Sequence, residues 1–307
     1  MSRKTEVSID IAGITLTAAG AREDLNLELT PALRLFQVNE AQTDIRLRCH
    51  YSPAPAFSSA ELVFASGGPW SLYRQDRQFI FHLEPDPPNR VAIVNQSFSN
   101  VEVYYYPQGD PPPEKSPLSS PGPISFHPFS GYLDELLMIN FLARGRGVIF
   151  HACGVVDEGR GLMFVGVSGA GKSTFAELWR QRQVTLLSDE GIIVRRPAGQ
   201  FKLYGTPWQG NAGIFSPESA PLERLYFIEH ASRNYVRALS PVDATARMLV
   251  RCFPPFYDGE GMAFILEFLS QLAGEIPCSE LGFVPDASAI DFVRGLKGIW
   301  PLKNFSP

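Results

Sequence analysis

Cysteine is scarce in this chain, and what there is has no pattern. Cys49, Cys153, Cys252 and Cys278 lie far apart, with no C-x-x-C pair among them. That excludes a zinc site of paired cysteines and a disulfide frame, and reads as four free thiols in a reducing compartment. Charge is also sparse: 19% of residues are Asp, Glu, Lys or Arg, and the net charge is −5. An acidic balance excludes a nucleic-acid binder working through a basic surface. No apolar run approaches the roughly 18 residues needed to span a bilayer. The N-terminus has no basic-then-apolar leader. The expected setting is cytoplasmic, with no membrane and no nucleic-acid partner. Two signatures are missing as well: no L-S-G-G-Q-like run and no guanine-reading N-K-x-D-like segment occurs.

What is present is apolar content of 45% over 307 residues, enough for two modest domains or one large one. Residues 1–106 read as β-rich. Val7, Ile9 and Ile11 alternate with polar residues, as do 45–49 and 70–74. Segments at 79–83, 91–94 and 101–106 complete a set expected to form an antiparallel sheet or small sandwich. No chemical motif falls in this half, which reads as a binding or positioning module. Residues 107–128 hold eight prolines and read as a semi-rigid linker. Residues 129–307 form the second expected domain. It opens with a helix over 132–143, then strands at 148–152 and 162–165 joined by the turn at 157–161. So short a connection predicts an antiparallel pair.

The chemistry is concentrated just after that hairpin. Gly166-Val167-Ser168-Gly169-Ala170-Gly171-Lys172-Ser173-Thr174 is a full Walker A loop, preceded by an apolar strand and followed by Phe175, Leu178 and Trp179 at helical spacing. Strand, glycine loop and helix together place polyphosphate at a helix N-terminus. The expected nucleotide-binding residues are Gly166, Ser168, Gly169, Ala170, Gly171, Lys172, Ser173 and Thr174. Lys172 reaches the outer phosphates and Ser173 holds Mg²⁺. A strand at 184–187 ends in Asp189-Glu190, only 17 positions after Lys172. In isolation this is an ordinary acidic turn. Beside a phosphate loop it reads as a metal-binding and proton-accepting pair. The close spacing, with the two missing signatures, argues against transporter-type ATPases and regulatory GTPases. Gly205-Thr206-Pro207-Trp208-Gln209-Gly210 reads equally as an acceptor-pocket loop or as a structural turn.

The segments 150–156, 166–174 and 187–190, in that order, resemble the catalytic core of bacterial HPr kinase/phosphorylase. His151 precedes Gly166 by 15 positions and Asp189 by 38. The resemblance is close over about 148–195. It implies a mixed-sheet P-loop kinase core of HPr kinase/PEP carboxykinase type, α/β with α+β character, beside a separate N-terminal β-rich domain. It implies that Asp189 is the catalytic acid/base and His151 the histidine beside it, with Lys172 completing the catalytic set. Ser173, Asp189 and Glu190 are then the metal ligands. Glu190 stands for a second aspartate and Thr174 for a glutamate. No arginine matches the family's downstream one beyond the echo Arg233-Asn234, and the N-terminal half does not match the family's regulatory domain. The expected cofactors are ATP and Mg²⁺. The expected activity is transfer of the γ-phosphoryl group to a serine-type hydroxyl on a peptide, protein or small molecule. A nucleotide-regulated binding module without an acceptor and a phosphoenolpyruvate-carboxykinase-like enzyme remain as alternatives, and a homo-oligomeric state stays open.

Overall fold

The computed structural model describes residues 5–39, 42–83, 89–106, 124–167 and 169–296. By compactness the chain divides into Met1–Phe141 and Leu142–Pro307. Among the described residues no helix is long and apolar enough to cross a membrane.

The first unit is a nine-stranded mixed sheet. Its strands are β1 (Glu6–Ile11), β2 (Ile14–Gly20), β4 (Gln37–Val38), β5 (Ile45–Tyr51), β6 (Glu61–Ala65), β7 (Trp70–Gln75), β8 (Gln78–Leu83), β9 (Arg90–Asn95) and β10 (Asn100–Tyr105). They run in the order β4-β1-β2-β5-β10-β9-β8-β7-β6. The expectation of an antiparallel sheet is corrected here, because β5 lies parallel to both β2 and β10. Parallel neighbours need a crossover. The segment between β2 and β5 supplies one, with β3 (Leu25–Leu27) and α1 (Pro31–Arg34). Alternation along β1 and β5 puts Val7, Ile9, Ile11, Ile45, Leu47 and Cys49 in the core. The proline-rich stretch expected at 107–128 lies outside the described residues up to 123. Its end is β11 (Ile124–Phe126), which pairs in parallel with β3. Arg90, buried, donates to the carbonyls of His127 and Ser130, both at 2.9 Å, and so fastens that end to β9. The helix expected at 132–143 is α2 (Leu133–Leu142).

The second unit has eight strands: β12 (Val148–Asp157), β13 (Arg160–Val165), β14 (Thr185–Ser188), β15 (Gly191–Arg195), β16 (Lys202–Tyr204), β17 (Ser219–His230), β18 (Tyr235–Ala238) and β19 (Cys278–Phe283). Its helices are α3 (Lys172–Arg180), α4 (Pro241–Leu249), α5 (Gly259–Glu275) and α6 (Ala287–Gly295). β12 and β13 are antiparallel, as their short connection requires, whereas β13–β17 and β17–β19 are parallel and have helices in their connections. Helices cover both faces. Met163, Val165, Leu225 and Phe227 pack toward Met248 of α4 and Ile265, Phe268 and Leu269 of α5. Leu162, Phe164, Tyr226 and Ile228 pack toward Phe175 and Trp179 of α3 and Ile290 and Val293 of α6. A strand buried on both faces reads as a continuous apolar run, which is why 162–165 has no polar alternation. α4 begins at the N-cap Ser240, whose hydroxyl accepts from the Asp243 amide, with Pro241 in the first turn.

Candidate active site

β13 delivers the chain into the glycine loop, and α3 begins at Lys172. Gly171 has φ of 92°, and a Cβ on it would lie 2.6 Å from His230 Nε2 and 2.8 Å from Phe283. Both the backbone and the space demand glycine there. No side chain caps the N-terminus of α3, so its first-turn amides are left for an anion. Lys172 is largely buried, and its Nζ donates to the carbonyls of Gly166 (2.9 Å) and Val167 (3.3 Å). Burial first, then the nearby Arg251 charge, lower its pKa, while Glu190 and Asp189 oppose the shift.

A cavity of about 410 Å³ opens in front of the loop. It brings together His151 from β12, Gly169, Gly171, Lys172, Ser173 and Thr174 from the loop and α3, and Asp189 and Glu190 from the β14–β15 turn. Residues 38 positions apart meet because β12 pairs with both β14 and β15. Gly166 and Ala170 line a second cavity on the loop's other flank. Ser168 lies outside the described residues. Asn211 and His230 also line the first cavity. Neither carries a motif, and only the return of a distant loop and the end of β17 bring them in. Arg233, the echo of a family arginine, is exposed in the turn between β17 and β18.

The two acidic residues stand in different surroundings. Asp189 is buried, 1% exposed. Its Oδ1 accepts from the amides of Gly210 (3.0 Å) and Ile214 (3.2 Å), and its Oδ2 from that of Ala212 (2.7 Å). Three of its roughly four lone-pair positions are therefore taken. The turn itself is held by Ser188, whose hydroxyl donates to Trp208 O at 2.9 Å and accepts from the amides of Glu190 and Gly191. The glycine-bounded loop at 205–210 is thus bound to the acidic turn. Its side chain Trp208 packs near Gly191, and the segment just beyond it supplies Asn211 to the cavity. Glu190 is half-exposed, with Oε1 3.4 Å from His151 Nδ1. Burial first, then the Lys172 charge, push the His151 pKa below its ordinary value, and Glu190 opposes them.

These donors suit Mg²⁺. A serine hydroxyl and carboxylate oxygens are hard ligands, and Mg²⁺ takes few of them from protein, with water and phosphate oxygens filling the rest. Among the described residues no group of three or more His, Cys, Asp and Glu is set to enclose a metal by itself.

No protein-family model matches this chain. No curated protein matches it either. Among solved structures, the HPr(Ser) kinase/phosphatase from Coxiella burnetii is similar over 48% of this chain and 94% of its own, with 12% identity and a TM-score of 0.30. A likeness of that size carries neither fold nor activity across. The class defined by the chain's own features is a mixed α/β protein with large mixed sheets and a glycine loop between strand and helix.

Proposed function

We propose that the second unit binds ATP on the glycine loop and transfers its γ-phosphoryl group to a serine-type hydroxyl of a peptide, protein or small molecule. The observation that carries this reading is the single cavity in which the loop, Lys172, Ser173, both acidic residues and His151 meet. Loop amides and the uncapped start of α3 hold the phosphates. Lys172 exchanges its two loop carbonyls for phosphate oxygens. Ser173 and Glu190, with the remaining lone pair of Asp189, hold Mg²⁺, which supplies charge neutralisation at the phosphates. The acidic pair takes the proton of the acceptor hydroxyl. The resemblance gives that role to Asp189, but Glu190 has the oxygens not engaged by backbone amides and has His151 beside it. Phosphoryl transfer is mostly positioning and charge stabilisation, so this set suffices.

A second reading is a nucleotide-regulated module without an acceptor. The engagement of Asp189 by three amides favours it, because a carboxylate so occupied supports a loop rather than moving a proton. Calorimetry of Mg·ATP binding to wild type and Lys172→Ala tests the nucleotide site; equal affinities refute it. Incubation with labelled ATP and extract of the source cells then tests transfer. A labelled acceptor that disappears with Lys172→Ala supports the kinase, and ADP release without any labelled species supports the module.

A further inference from the structure

The second cavity, of about 330 Å³, lies against Gly166, Val167, Gly169 and Ala170 on the other flank of the loop. Its far wall contains Arg247 and Arg251, one helical turn apart and both over the ring of Phe227, at 5.8 and 5.6 Å. Their partners differ. Arg247 donates to Glu280 at 3.0 Å, and Glu280 also pairs with Arg237 at 2.8 Å. The other acid of the cavity, Glu229, accepts the hydroxyl of Tyr235. Arg251 gives Nη1 to the backbone carbonyl of Arg247 at 2.9 Å. Its Nε is buried and has no hydrogen-bond partner, and no carboxylate among the described residues pairs with its guanidinium. Two arginines, Arg237 and Arg247, thus share the buried carboxylate of Glu280, and Arg251 has none among the described residues. Burial first, then the like charge of Arg247, lower the Arg251 pKa. Arg251 as a whole is partly exposed, but a buried, unengaged Nε donor is costly unless an acceptor such as an oxyanion meets it.

We propose that this flank of the glycine loop is an oxyanion subsite, in which Arg251, with Arg247 beside it, takes a carboxylate or phosphate group of a second ligand. Gly169 and His230 line both cavities, so such a ligand lies next to the polyphosphate. If the kinase reading holds, the acceptor carries an oxyanion group as well as a hydroxyl. The subsite itself does not depend on that reading.

The test is calorimetry on the full chain with two probes, inorganic phosphate and D-glycerate. Wild type should show two phosphate sites, one lost in Lys172→Ala and the other in Arg251→Gln. D-glycerate should bind only where Arg251 is intact. Loss of a charge-assisted contact predicts a roughly ten- to hundredfold weaker Arg251-dependent site. Arg251→Lys keeps the charge but removes Nε, and should recover only part of the affinity; it also serves if Arg251→Gln does not fold. The tighter probe at this site distinguishes a phosphate from a carboxylate source. A single Lys172-dependent phosphate site in wild type with no Arg251-dependent binding of D-glycerate overturns the proposal, as does probe affinity within about twofold of wild type in both Arg251 variants. Absent ATP binding alongside Arg251-dependent oxyanion binding removes the kinase reading and leaves this one standing.

Discussion

Asp189→Asn separates a structural from a chemical role for the buried acid. In wild type three backbone amides converge on its carboxylate, two on Oδ1 and one on Oδ2. An asparagine must present an amide nitrogen in place of one oxygen. The less costly orientation keeps oxygen at Oδ1 and turns the nitrogen toward Ala212. One buried N–H is then orphaned, at about 1–3 kcal/mol. The two remaining bonds lose charge assistance, at about 1 kcal/mol each. The total is about 3–5 kcal/mol. A domain of this size shifts by about 2–4 °C per kcal/mol, so the melting temperature should fall by about 6–20 °C. Glu190→Gln, at a half-exposed side chain with one 3.4 Å contact, should move it by less than about 2 °C. Thermal unfolding followed by circular dichroism measures both, and hydrogen exchange at the amides of residues 210, 212 and 214 should speed up only in Asp189→Asn. If Asp189→Asn melts within about 2 °C of wild type, the carboxylate does not hold the loop and the stability reasoning is wrong. If it melts as expected, and Glu190→Gln alone slows transfer by ~10²–10⁴, the base is Glu190.

Further outcomes are expected. His151 has a folded pKa below its ordinary 6.5, so between those two values the unfolded chain binds the extra proton. Stability of the metal-free protein should therefore drop as pH falls from about 7 through that window, and His151→Gln should flatten the drop. Urea midpoints at two pH values check this, and an identical pH dependence in both proteins contradicts it. All four cysteines are buried and free, and burial pushes each thiol up to about 12. None should react with a thiol reagent at neutral pH in the native protein and all four should react in denaturant; rapid native labelling would refute this. A Cβ on Gly210 would lie 2.8 Å from Asp189 Oδ2 and 2.9 Å from Glu190 Oε2. The second of these can swing away, but the first is held by the Ala212 amide. Gly210→Ala should then destabilise by about 1–3 kcal/mol, read as a lower melting temperature, and an unchanged value would show that the turn yields.

Local order was legible in the sequence. The alternation at Val7–Ile11 and Ile45–Cys49 became β1 and β5, and the run Leu162–Val165 became β13. The short turn after Asp157 predicted the antiparallel hairpin, and Gly166–Thr174 predicted strand, loop and helix. These are properties of neighbouring residues, where side-chain period and turn length act over one element. Strand order was not legible. The parallel placing of β5 beside β2 and β10 depends on a crossover with no sequence period, and β19, buried along its whole length, carries Ser279 and Glu280 within it. Nor was the difference between Asp189 and Glu190. They are adjacent and chemically alike, and only the return of residues 210–214 puts three amides on the first while leaving the second facing His151. Arg251 and His230 came to the loop the same way, through strands and helices far along the chain. Hydrogen bonds and charge act over a few ångströms of space, and tertiary folding alone sets which distant residues come within that reach.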